Sequence, residues 1–276
     1  MVRSLHVTWR YLQMQKERGG NMTTTIQSSF FGNRNIVWFS CGVASATTAK
    51  LAVEKYGIEN VNIVYCDMRR DEHPDNDRFL HDVERWLGKE IEIIKSPHFD
   101  SVDEVFDKTN YMSGVGGARC TVEMKKVPRF NYQYPDDTHM LGLCADEQRR
   151  IDQFNRDNFD MRLDWILLDR GMTKADCKRF VSAAGIELPA MYGLGFANNN
   201  CIGCVKAQSP KYWNMVRANF PDRFERRAEQ SRRIGCKLVR LHGERIFLDE
   251  LPEETTEEII EDISCGIQCG TSEATP

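Results

Sequence analysis

Ile36-Val-Trp-Phe-Ser-Cys-Gly-Val-Ala-Ser-Ala46 is a short apolar run that ends in a turn rich in Ser and Gly and flows straight into the helical stretch Thr47 to Tyr56. A buried strand feeding a tight loop and then a helix is the opening of an α/β unit. It also brings unpaired N–H groups and the positive end of a helix dipole to one point. Gly42 lets the backbone approach a ligand closely, and the Ser40 and Ser45 hydroxyls add hydrogen bonds to the same oxygens. Ser40, Cys41, Gly42, Val43, Ser45 and Ala46 are therefore the expected seat of a nucleotide phosphate. Strand-glycine-helix turns also occur in α/β proteins that bind nothing, so the loop alone leaves its ligand open.

Outward from this loop, apolar runs predict strands at about 36–40, 61–66, 91–95, 138–144 and 164–168. They alternate with helical patterns at about 46–57, 75–88, 101–108, 145–154 and 173–184. The alternation predicts an α/β fold with a doubly wound, mostly parallel sheet, whose ligands bind outside the carboxyl ends of the strands. Phe79, Leu80, Val83, Trp86 and Leu87 recur at helical spacing and read as core packing. Thr173-Lys-Ala-Asp176 has the form of a capping box, and Ser209-Pro210 places an N-cap before Pro at the first helical position. A chain of 276 residues that is 41% hydrophobic fits one large α/β domain with additions. The expected organisation is an N-terminal extension over 1–33, a nucleotide-binding domain over 34–208, a helical and hairpin addition over 209–248, and an acidic, Cys-containing tail over 249–276.

The net charge of −4 does not mark a general nucleic-acid binder. No run of eighteen or more apolar residues is present, so no membrane span or membrane partner is expected. The first thirty residues lack the apolar core of a secretion signal. Ten cysteines without such a signal point to a reducing, cytoplasmic compartment, where thiols serve metals or chemistry more often than disulfides. Cys144, Cys177 and Cys236 read as small packing residues. Cys41 sits at a helix N-terminus, which would lower its pKa, although the simplest view is that it stands in for a loop glycine.

Cys120, Cys201 and Cys204 form the strongest cysteine constellation. A Cys-x-x-Cys turn with Gly203 inside it places two thiolates within reach of one metal, and a remote third cysteine can close the site across the fold. A zinc site completed by a tail cysteine is one reading of this set.

The loop Ser40 to Ser45 resembles a variant of the Ser-Gly-Gly-x-Asp-Ser loop of the PP-loop ATP pyrophosphatase (adenine nucleotide alpha-hydrolase-like) superfamily, with Cys41 and Ala44 as replacements. The missing acid argues against ordinary ATP cleavage, since Ala44 has no oxygen for a hard cation. The chain looks closest to the phosphoadenylyl-sulfate (PAPS) reductase branch, especially its phage-borne members, which would place it in a host cytoplasm. Asp67 with Glu72-His-Pro-Asp-Asn76 resembles the family's strand-end acidic segment. Gly117-Ala-Arg-Cys-Thr-Val-Glu-Met-Lys-Lys126 resembles its Arg-Cys segment, Leu141 to Arg150 its strand ending in arginines near phosphate and sulfate, and Asn198 to Lys206 its late Cys-x-x-Cys. The match runs from about residue 36 to about 240.

This resemblance implies an adenine nucleotide substrate held by the loop, by Asp67 and by Lys125, with Arg149 and Arg150 neutralising distal charge. It also implies a [4Fe–4S] cluster on Cys120, Cys201 and Cys204, as in adenylyl-sulfate reductases, which carry a Cys-Cys pair where this chain has Cys120-Thr121. The fourth ligand is thereby left open, with Cys269 and Cys265 as candidates, or with an iron site open to sulfide. Ser264-Cys-Gly266 shares only its Cys-Gly with the nucleophilic Glu-Cys-Gly-Leu-His tail of PAPS reductases, so Cys265 is a candidate nucleophile whose S-sulfonate a thioredoxin-type thiol would cleave.

Three functions follow as expectations. The first is a thiol-dependent reductase of PAPS or adenylyl-sulfate, and the second an ATP-dependent sulfurtransferase acting on tRNA or DNA. The third is a nucleotide- or metal-binding module without catalysis. Arg223, Arg226, Arg227, Arg232, Arg233, Lys237 and Arg240 form a basic stretch that can hold a nucleic-acid backbone. Interleaved Asp222, Glu225 and Glu229 favour instead a solvated mixed-charge helix.

Overall fold

The structure, a computed structural model, describes residues 33–114 and 117–254. Five parallel strands form its central sheet: β1 (Asn35–Phe39), β2 (Val61–Cys66), β3 (Glu92–Ile94), β6 (Thr138–Leu141) and β7 (Arg162–Leu163), in the order β3-β2-β1-β6-β7. Two short antiparallel ribbons, β4 (Ser113–Gly114) with β5 (Gly117–Ala118) and β8 (Val239–Leu241) with β9 (Glu244–Ile246), stand apart from it. Helices flank the parallel sheet, so the fold is α/β and doubly wound. β1 is central: Val37 lies opposite Ile63 of β2 on one side and Met140 of β6 on the other. The chain winds outward in both directions from this strand, which makes the β1/β6 edge the switch point where such sheets open a crevice.

Behind β1 runs α1 (Val43–Tyr56), whose first ten positions are almost all buried. Ala46, Ala49 and Ala52 are small enough to let this helix lie close to the sheet, while Thr47 and Thr48 satisfy their buried hydroxyls on the Val43 and Ala44 carbonyls, each at 2.9 Å. The same face carries α2 (Asp75–Leu87), α3 (Val102–Thr109) and α8 (Lys174–Ala183), with Phe79, Leu80, Val83, Val105, Phe106 and Val181 in the core. The opposite face packs Ile36, Trp38, Val64, Cys66, Leu141 and Phe154 beneath α6 (Gln148–Asp157). After α9 (Ala190–Gly193) the chain turns through the cysteine loop into α10 (Pro210–Asn219) and α11 (Pro221–Ile234).

The run expected as a strand over 164–168 is different. The strand stops at Leu163, and Ile166–Asp169 forms a helical turn, α7. Asp164 accepts hydrogen bonds from Lys55 Nζ at 2.8 Å and Tyr56 Oη at 2.6 Å, which pins the chain to the end of α1 before the ladder can continue. A short apolar run cannot tell a buried strand from a buried turn by its pattern.

Helical residues Arg119–Thr121 (α4) and Val127–Tyr132 (α5) are joined by a wider π-helical turn, Val122–Lys126. Pro128 explains the widening, because it has no N–H to bond Met124 and its ring would strike that carbonyl. The Val127 amide instead reaches back to Val122, and the Cys66 thiol donates to the Lys125 carbonyl at 3.8 Å. Burial pushes the Cys66 thiol up to about 12, so it stays a donor.

On α11 most arginines of the basic stretch stay exposed, as expected of a solvated mixed-charge helix, and also pair within the chain. Arg226 and Arg233 pair with Asp107, Arg227 with Asp103, and Arg232 with Asp249 and Glu250. No helix among the described residues is long and apolar enough to cross a membrane.

His139 on β6 is 2% exposed and accepts the Trp38 indole N–H on Nδ1 at 3.1 Å. Burial, reinforced by the Arg129 cation, lowers its pKa from 6.5 to about 3. The neutral ring is thus favoured by folding, and its contribution is complete above pH 6.5 and lost as pH falls toward 3. Urea unfolding at pH 7 and pH 5 should show His139→Gln losing about 2 kcal/mol less than the wild type over that interval.

Candidate functional site

A cavity opens at the carboxyl ends of β1 and β6, the switch point of the sheet. Ser40, Gly42, Ala44 and Ser45 form one wall. The loop is braced internally: Ser45 Oγ accepts from the Ser40 amide at 3.1 Å and donates to the Gly42 carbonyl at 2.9 Å. The Ser45 hydroxyl therefore holds the loop's shape first, and α1 opens toward the cavity with no acidic residue in its first turn.

Cys41 departs from its expectation. Its side chain is fully buried and turned into the core beside Tyr65 and Glu72, and burial together with the Glu72 charge raises its pKa well above the ordinary value. The helix terminus does not activate it, because the thiol lies on the far side of the loop. Its backbone has φ 53, the left-handed region that favours glycine, in keeping with its replacing one. Val43 and Ala46 are likewise buried core residues and are not among those lining the cavity.

The other walls come from distant segments of the chain. Gly142, just after β6, lies so close to the loop that a Cβ there would sit 2.6 Å from the Ser45 amide nitrogen and 2.8 Å from its Cα. Glu72 is buried and accepts from Tyr65 Oη and Asn76 Nδ2, each at 2.8 Å. Lys174 meets Asn198, and Glu147 pairs with Arg150. Tyr192 lies over Gly42, where burial raises its hydroxyl to about 12 against the pull of the Val43 and Asn199 amides. Asn199 donates through Nδ2 to the Cys41 carbonyl and to Asn76 Oδ1, both at 2.7 Å, which ties the cysteine loop to the phosphate loop. Its Oδ1 is buried without a protein partner, an acceptor in the cavity wall.

Asp67, Arg149 and Arg150 are not among the residues lining this cavity. Arg69 binds both Asp67 oxygens at 2.9 and 2.8 Å and holds that carboxyl below its usual range, with Lys95 3.8 Å away. The acids that do reach the cavity are Glu72, five residues on, and Glu147. Arg149 is exposed on α6, and the cations of the wall are Lys125 and Lys174.

A second, small cavity is lined by Cys120, Cys201 and Cys204 together with Met68, Thr121, Gly203 and Arg227. The fold thus gathers the three cysteines that the spacing singled out. All are buried, Gly203 turns the loop at φ 69, and the Cys204 amide donates to Tyr212 Oη at 2.8 Å. Lys125, 6% exposed, lines this cavity and the phosphate cavity alike.

Among the described residues no group of three His, Cys, Asp or Glu is set to hold one metal ion. A single tetrahedral zinc needs its donors about 2.3 Å from one point, whereas an iron–sulfur cluster spreads thiolates over several irons. Cys120, Cys201 and Cys204 are the thiol donors that either group would use. Thr121 Oγ1, where a fourth thiol would follow in sequence, is buried without a partner. Cys265 and Cys269, the tail candidates for nucleophile and fourth ligand, lie outside the described residues. Cys144 and Cys177 are buried with their sulfurs 4.0 Å apart behind the loop.

No protein-family model and no curated protein matches the chain.

Gly142→Ala tests this wall of the cavity. The added methyl collides with backbone, so the loop must shift, at a cost of about 1–3 kcal/mol. Thermal unfolding should register that loss, and equilibrium dialysis should show affinity for an adenine nucleotide falling by about tenfold or more.

Proposed function

We propose that the chain is an enzyme of the PAPS-reductase kind, binding an adenylyl sulfonucleotide at the phosphate loop and carrying out thiol-dependent reduction of its sulfate beside the cysteine cavity. One observation carries this reading: Lys125 is a common wall of the anion-suited cavity and the three-cysteine cavity. An ammonium held there, in the wide turn that Pro128 enforces, can bind an anionic oxygen on one side while facing sulfur on the other.

Cys120, Cys201 and Cys204 would hold a [4Fe–4S] cluster, which supplies a polarisable, electron-rich sulfur environment next to the reacting group. The chain's own residues do the rest. The amides of α1's first turn take the adenylyl phosphate, with Ser40 at the loop mouth. Lys125 and Lys174 neutralise the anionic end, and Asn199 accepts from a hydroxyl or amine of the nucleotide. In this reading a thiolate, for which Cys265 is the candidate, attacks the sulfate sulfur and expels the nucleotide phosphate. A second thiol, of the thioredoxin type, then displaces sulfite from the S-sulfonate and leaves a disulfide.

A second reading, ATP-dependent transfer of sulfur to tRNA or DNA, is favoured by Glu72 and Glu147 in the cavity wall. Their oxygens are ligands for a nucleotide-bound magnesium ion of the kind that Ala44 cannot supply.

The deciding experiment is anaerobic. Reconstituted protein with a reduced thioredoxin-type thiol is given PAPS, adenylyl-sulfate, or ATP with bulk tRNA or DNA, and the products are identified by mass spectrometry. Sulfite with AMP or adenosine bisphosphate is the expected result. AMP and pyrophosphate that form from ATP only with nucleic acid would replace it with the second reading, and no turnover would leave a binding module. Lys125→Gln should lower turnover by about 100-fold, the loss typical of one charge-stabilising donor. Cys201→Ser should abolish both iron uptake and turnover.

A further inference from the structure

Arg227 is a guanidinium inside the fold, 3% exposed, and it lines the cysteine cavity. Its plane lies over the Phe106 ring, 4.8 Å from the centroid. Nη1 donates to Gln230 Oε1 at 2.6 Å and stands 3.0 Å from Asp103 Oδ1. Nε has no protein partner, and it lies 3.8 Å from the point where a Cβ on Gly203 would sit. One edge of the fork is therefore fixed to α3 and to its own helix, while the other is presented to the turn between Cys201 and Cys204.

Two features make this unlike an ordinary buried ion pair. A buried cation is costly unless it is matched in charge and in hydrogen bonds, and Arg227 is matched on one edge only. Asp103 is moreover shared, lying within 3.7 Å of Arg223 and 3.9 Å of Arg226. What the open edge faces is the Gly203 turn of a cavity lined by three cysteines, whose thiols become anionic on binding metal. Thr121 Oγ1, a second buried polar atom without a partner, lines the same cavity.

We propose that Arg227 is a positioning residue for an anionic metal–sulfur centre on Cys120, Cys201 and Cys204, its Nε–H and positive charge directed at the sulfurs of the Cys-x-x-Cys turn. This rests on the reading that the three cysteines hold such a centre. Asp103 and Gln230 orient the guanidinium, and Asp103 also damps the positive field at the cavity. The chemistry is that of an outer partner of a metal ligand, which settles the ligand's orientation and charge without touching the metal.

The test loads the full chain, as wild type, Arg227→Gln, Arg227→Lys and Asp103→Asn, with ferrous iron and sulfide under anaerobic conditions. Iron per chain and the half-time of iron loss to a chelator are measured, each protein being held the same interval below the unfolding midpoint of its metal-free form. Arg227→Gln should lose iron about tenfold faster than wild type. Arg227→Lys, which keeps the charge but not the fork, should recover part of that. Asp103→Asn breaks the same ion pair from its other side and should hold iron at least as long as wild type, because the cation is left facing the sulfurs. Equal acceleration in Arg227→Gln and Asp103→Asn would show that the ion pair acts only through stability, and would overturn the proposal. Should Arg227→Gln fail to fold, the opposite behaviour of Arg227→Lys and Asp103→Asn decides. Failure of the wild type to take up iron would overturn the metal-centre reading itself and this inference with it, an outcome told apart by empty protein in all four samples.

Discussion

Everything at the front of this molecule depends on the backbone of Gly142 pressing against the first turn of α1. A strand can deliver its end that close to a helix N-terminus only where no Cβ intervenes. The contact sets the width of the crevice between β1 and β6, and with it the shape of the phosphate loop. Ser45 completes the loop by spending its hydroxyl on Ser40 and Gly42, and Asn199 holds it from behind at the Cys41 carbonyl. A loop restrained on three sides is preorganised, which lowers the entropy that binding of the proposed anion would have to overcome.

The second organising element is the π-helical turn before Pro128. Proline forces the preceding turn to widen, the Lys125 carbonyl accepts from the Cys66 thiol, and the Lys125 side chain lines both cavities. A single backbone irregularity thereby links the carboxyl end of β2, the phosphate cavity and the cysteine cavity. Such turns recur at functional sites because an extra residue re-aims side chains without breaking the helix.

Charge is used inward as well as at the surface. The arginines of α11 bind Asp103, Asp107, Asp249 and Glu250 and so dock that helix onto α3 and the segment after β9. Exposed pairs of this kind add little energy individually, but they specify which face of α11 turns inward. That choice buries Arg227 beside Cys201 and Cys204.

The sequence by itself determined the doubly wound α/β architecture, because each strand and helix announces its own period and the strand-loop-helix unit at Ile36 to Tyr56 is a local signal. It also determined that Cys120, Cys201 and Cys204 belong together, since thiol spacing is a strong pattern. The short helical turn at Ile166 to Asp169 was not legible, because the Asp164 contacts that end the strand join residues far apart in the chain. Nor was the true wall of the phosphate cavity. Asp67 follows a strand and looks available, yet Arg69 binds it, while Glu72, Gly142, Lys174 and Asn199 converge from four segments that no periodicity connects. Only the tertiary structure decided that Cys41 points into the core, that Lys125 serves two cavities, and that one arginine of a mixed-charge helix is inside. These are facts of direction and long-range packing, and a linear pattern of residue types does not encode which way a side chain turns.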